Sequence, residues 1–62
     1  MTPPFQPGDR VKDIYNKPLG VLTVRSVDPM SNGNGYYCVC VGEGVVITVT
    51  DNSLKKVQDH DG

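Results

Sequence analysis

The chain has 62 residues, with six Lys plus Arg against seven Asp plus Glu and a formal charge of −1. That length allows one domain with a modest core. The charge balance shows no nucleic-acid-like basic excess, and no apolar run is long enough to cross a bilayer.

In chain order, residues 1–7 hold Pro3, Pro4 and Pro7 and read as an extended segment, with Phe5 a candidate to tuck against the fold. They lack the basic and apolar regions of a signal peptide, so a cytoplasmic location is expected. Pro7-Gly8-Asp9 is a turn. Residues 10–15 form a first strand, with Val11 and, across a bulge, Ile14 facing inward. Residues 16–20 turn, with Pro18 and Gly20 as breakers. Residues 21–27 form a second strand, in which a bulge lets Val24 and Val27 face the same side. Residues 28–35, rich in turn formers, read as a mobile loop with Met30 as a partial lid on the core. After a central hairpin, Asp51 or Asn52 caps one 3-10 turn and Leu54 drops into the core. Residues 55–58 make a short last strand with Val57 inward, and residues 59–62 a frayed tail.

The chain is organised around that hairpin, residues 36–41 and 45–50, folded across Gly42-Glu43-Gly44. Period-two alternation separates Tyr37, Val39, Val41, Val45, Ile47 and Val49 from Tyr36, Cys38, Cys40, Val46, Thr48 and Thr50. The first set is assigned to the core. The expected core is therefore Val11, Val24, Val27, Tyr37, Val39, Val41, Val45, Ile47, Val49, Leu54 and Val57.

The second set is apolar for a solvent face. Tyr36, Cys38, Cys40, Val46 and Thr48 are accordingly the candidate interface, for a protein partner or a second copy in a homodimer. The competing reading has Phe5 and the Pro-rich segment covering that face within one chain. A nucleic-acid reading rests on Arg10, Lys12, Tyr15, Arg25 and Lys55, with Lys17 and Lys56 able to join them. Arg10, Lys12 and their neighbours are interleaved with Asp9, Asp13 and Asp28, which disfavours it.

No enzyme is expected. The single histidine, His60, stands in the tail, Asp13, Asp28 and Asp51 read as solvated turn carboxylates, and no nucleophile–base pair assembles. The Gly-rich residues 32–35 precede no helix and form no phosphate cradle. Cys38 and Cys40 lie at or beyond disulfide reach in an extended strand and are too few for zinc, so reduced thiols, no metal and no cofactor are expected.

The order of pieces resembles the SH3-like barrel family in the wide sense, over residues 7–58. The matching pieces are Pro7-Gly8-Asp9-Arg10-Val11, Gly20 followed by Val24 and Val27-Asp28, and Asp51-Asn52-Ser53-Leu54 ahead of Val57. The resemblance implies a five-stranded antiparallel barrel over residues 8–58 with one 3-10 turn before the last strand. It leaves the role open. Peptide-binding SH3 domains use paired tryptophans, and this chain has no Trp. The plasmid-encoded, trimethoprim-insensitive dihydrofolate reductases are similar at Gly8-Asp9-Arg10-Val11, but Val46-Ile47-Thr48-Val49 lacks the glutamine and tyrosine of their pore motif. Gly20-Val21-Leu22-Thr23-Val24 is loosely similar to the core of KOW and Tudor-like barrels, which bind nucleic acids or modified peptides.

Overall fold

A nine-residue strand rich in β-branched side chains, Val21–Pro29 (β2), lies at the centre of the sheet in the computed structural model, which describes residues 3–57. Around it stand Arg10–Asp13 (β1), Tyr36–Gly42 (β3), Val45–Thr50 (β4) and Leu54–Lys56 (β5), all antiparallel, in the order β4-β3-β2-β1-β5. The all-β class and five strands are as expected. A 3-10 turn, Asp51–Ser53 (η2), precedes β5, and a second, Lys17–Leu19 (η1), links β1 to β2. Pro18 sits early in η1, where its missing N–H costs nothing. The outermost strands are β4 and β5, and no ladder joins them among the described residues. The last strand is Leu54–Lys56, one residue earlier at its start than expected and ended before Val57; residue 58 and the frayed tail assigned to residues 59–62, with His60, lie outside the described residues. No described helix is long and apolar enough to cross a membrane.

The expected bulge in β2 is present. Val24 pairs with Cys40, but Ser26 pairs with Val39, so Arg25 is the extra residue. Leu22 and Val24 face inward before the bulge, and Val27 packs on the core after it. Residues 28–35 are less open than expected. β2 runs on to Pro29, and the connection is tied by Met30 N–H to Gly35 O at 2.8 Å and Gly33 N–H to Met30 O at 3.0 Å.

The core comprises Phe5, Val11, Leu22, Val24, Cys38, Cys40 and Leu54, with Leu19, Val27, Ile47 and Val49 packed against it. Val45 and Val57 are half-buried. The faces of β3 correct the expectation: Cys38 and Cys40 are buried, Tyr37 is 48% exposed, and Val39 and Val41 are only half-buried, on the outer side. The reason is register. Gly42 pairs with Val45, so the turn has two residues, Glu43 and Gly44, with Gly44 at φ +72°. Counting Gly42 in the turn sets Val41 opposite Val45. The ladder instead sets Val41 opposite Val46, Cys40 opposite Ile47 and Cys38 opposite Val49. A one-residue slip exchanges the faces of a strand.

Volume explains which row turns inward. Cys38, Cys40 and Gly42 are small, and they leave room for the larger side chains of β1 and β2. At Gly42 the fit is close: an added Cβ would lie 2.7 Å from Leu22 Cδ2. Phe5 joins the same cluster. Of the competing reading, the part that concerns Phe5 is observed, since Phe5 packs with Cys38 and Cys40, but that face is the core itself, and Pro4 and Pro7 of the Pro-rich segment are exposed.

In β1 alternation is strict, so the second inward residue is Asp13 and not Ile14, which is exposed. Asp13 is 2% exposed, against the expectation of a solvated turn carboxylate. Its carboxylate accepts hydrogen bonds from Tyr15 N–H at 2.9 Å and Asn16 Nδ2 at 3.2 Å. Burial is tolerable because local donors replace the lost water. Nor does Asp51 cap η2, whose N-cap is Thr50. Its carboxylate accepts from Tyr36 N–H at 3.1 Å and ties η2 to the start of β3.

Candidate binding surfaces

Two surfaces are left outside this core, at opposite ends of the sheet. The first is the outer side of β3 and β4. Directly opposed residues share a face, so Tyr37, Val39 and Val41 stand with Thr50, Thr48 and Val46. None is charged, and Val46 is 66% exposed. β4 is also an edge strand. Among the described residues its backbone bonds only to β3, and Val45–Thr50 holds no Lys or Pro. Such residues ordinarily guard an open edge against pairing.

Of the five candidate interface residues, only Val46 and Thr48 are exposed here. Cys38 and Cys40 are in the core, and Tyr36 is half-buried on their side of β3. The face missed in the sequence is Tyr37, Val39 and Val41. Three bulky apolar residues at alternate positions signal a core row, and here that signal is misleading.

The second surface lies on the outer side of β1 and β5. Lys12 and Lys55 are direct cross-strand partners. With Lys17 of η1 they border a groove of about 520 Å³, whose other lining residues are Asp13 and the exposed Ile14. A smaller hollow of about 280 Å³ shares Lys12 and Lys55 with it and is also lined by Lys56 and Val57. Lys56 reaches Asp9, with Nζ 3.5 Å from Oδ2. Among the described residues no carboxylate makes such a contact with Lys12, Lys17 or Lys55. Tyr15, 76% exposed, follows directly on Ile14. Of the nucleic-acid candidates the fold thus brings together Lys12 and Lys55, with Tyr15 close along the chain. Arg10 stands two residues before Lys12 on the same face of β1, opposite Thr23. Arg25, at the bulge, is four residues along β2 from Val21, the partner of Lys12.

The thiols sit in neither surface. Burial pushes Cys38 up to about 11, helped by the nearby Cys40 and Asp51. Burial also raises Cys40, with Asp13 adding to it. Both cysteines are free, and Cys40 Sγ donates weakly to Cys38 O at 3.9 Å. Thiols held protonated in this way are poor nucleophiles and poor metal ligands. Among the described residues no group of three or more His, Cys, Asp or Glu could hold a metal ion.

Comparison with protein-family models, with curated proteins and with solved structures finds no match to this chain.

Proposed function

We propose that this protein is a small, non-enzymatic interaction module of the SH3-like barrel type, acting in the cytoplasm, that binds a second copy of itself through β4 and the outer side of β3. The observation that carries the reading is an edge strand that, among the described residues, pairs only with β3 and holds no Lys or Pro, with Val46 on its exposed face. Two such edges meet antiparallel about a twofold axis, the commonest symmetry of soluble assemblies. Val45–Thr50 carries no charge, so self-pairing sets no like charges against each other. Tyr37, Val39 and Val41 extend the apolar contact behind the new ladder. The barrel assignment is supported by the order of pieces, with a long bulged β2, a tight β3–β4 hairpin and a 3-10 turn before β5. The absence of catalysis from the reading is supported by thiols held in their neutral form.

The test is the mass in solution by light scattering. The expected value for the native protein is twice the 6.7 kDa of one chain. Val46→Lys places a charge in the outer apolar face that the pairing would cover and should weaken the dimer by at least about tenfold. Its circular dichroism should be unchanged, because Val46 takes no part in the core. A native protein that stays monomeric at millimolar concentration would refute the reading, as would a dimer indifferent to Val46→Lys.

A further inference from the structure

The lysine groove has no place in self-association, because β5 and β1 lie at the other end of the sheet from β4. Its construction calls for a separate explanation. Like charges directly opposed on neighbouring strands destabilise a sheet, yet Lys12 and Lys55 are directly opposed. Lys17 brings a third cation to the same groove. Half of the six Lys and Arg residues of a chain with net charge −1 therefore converge on one groove. The one carboxylate there, Asp13, is turned into the fold and occupied by Tyr15 N–H and Asn16 Nδ2. The groove keeps an excess of two positive charges. Local rules broken at a site without local compensation mark function more often than accident.

We infer that this groove is a binding site for phosphate groups. Lys12 and Lys55 would contact the phosphate oxygens from the two strands, and Lys17 from η1. Ile14 supplies an apolar wall for the organic part of the ligand, and the exposed ring of Tyr15 is the next residue along the chain, outside the lining itself. Compact ammonium groups suit this chemistry as point charges that rotate to meet oxygens from several directions. Two sources offer it, a small phosphorylated molecule and the backbone of a single-stranded nucleic acid. In the second, the exposed Tyr15 is the candidate ring to stack on a base.

The experiment titrates the full-length protein separately with pyrophosphate, with a short oligothymidylate and with poly-glutamate of matched charge. Binding is read from amide chemical shifts at low and physiological salt. Saturable pyrophosphate or oligothymidylate binding is expected, with shifts centred on residues 12–17 and 54–57. The Lys12→Gln, Lys55→Gln double variant should lose about tenfold or more in affinity, while Arg25→Gln stays at the native value. The double variant should also melt at a higher temperature than the native protein, because the opposed charges are gone. A loss of binding together with a gain in stability is what a merely structural role does not produce. If nucleic acid is the source, oligothymidylate binds more tightly than pyrophosphate. Its affinity then falls with salt at a logarithmic slope of about −2 for three phosphate contacts, and Tyr15→Ala weakens it selectively. Equal binding of the two, insensitive to Tyr15→Ala, assigns a small phosphorylated ligand. Failure of both to saturate, poly-glutamate binding as tightly as either, or a double variant that binds like the native protein would each overturn the inference. Self-association is measured independently by mass, so either reading can fail alone.

Discussion

Leu22→Ala is expected to lower the unfolding free energy by about 2–5 kcal/mol, the range for truncating a fully buried leucine. Leu22 lies on the central strand before the bulge and is 1% exposed. Its Cδ2 occupies the space above Gly42 that a side chain would otherwise fill. Neither Gly42 nor the neighbouring Cys40 has a longer side chain to swing into the hole, so the cavity stays open and the cost should fall in the upper part of that range. A domain of this size has a total stability of roughly 3–9 kcal/mol, so the variant should sit at the margin of folding. Urea titration followed by circular dichroism measures the difference directly. Val46→Ala serves as the comparison and should change stability by less than about 0.5 kcal/mol, as exposed substitutions ordinarily do. Similar losses at the two positions would mean that Leu22 does not fill the core as described.

Cys40→Asp is expected to unfold the chain at neutral pH. The thiol it replaces is fully buried among Leu22, Val24 and the other core residues, and only a weak contact to Cys38 O serves it. A carboxylate there would find no donor, and the buried Asp13 is close enough to raise the Cys40 thiol. An unpaired buried charge costs several kcal/mol, comparable with the whole stability of the domain. Cys40→Ala keeps the site apolar and should remain folded, with a modest loss. The informative contrast is with Val46→Lys, which introduces a charge on the same hairpin but on its outer side and should leave the fold intact. Amide chemical-shift dispersion distinguishes the outcomes. A well-dispersed spectrum for Cys40→Asp would show that Cys40 faces water.

Much of this architecture is legible in the residues. Strand alternation, the breakers Pro18 and Gly20 and the Asp51-Asn52-Ser53-Leu54 turn mark the five strands and the 3-10 turn before the last. The bulge in β2 follows from the need to bring Val24 and Val27 to one side. The orientation of β3 is not legible, because two cues conflict. Tyr37, Val39 and Val41 are the bulkier row and look like core, whereas the size of the turn, one residue less than Gly42-Glu43-Gly44 suggests, sets Cys38 and Cys40 opposite Val49 and Ile47. Close packing against Leu22 decides in favour of the small row, and that depends on the neighbouring strand β2, some twenty residues earlier in the chain. Asp13 is hidden for a related reason. Its partners, Tyr15 N–H and Asn16 Nδ2, are local, but burial comes from the long-range pairing of β1 with β5. The lysine groove rests on that same pairing, since Lys12 and Lys55 are far apart in the chain and meet only when β5 returns to β1.

The orientation of the hairpin decides which residues a partner can meet, and thiol accessibility tests it most directly. The native protein is treated with a maleimide at pH 8, at a concentration where light scattering reports single chains, and the intact mass is followed in time. Burial pushes Cys38 up to about 11 and raises Cys40 as well, so both thiols are held largely protonated at that pH, and neither side chain is reached by solvent. The expected result is an unlabelled protein over the time in which the same chain in denaturant takes up two adducts. Rapid labelling of both cysteines in the folded monomer would put them on the outer face, return Tyr37, Val39 and Val41 to the core, and contradict the account.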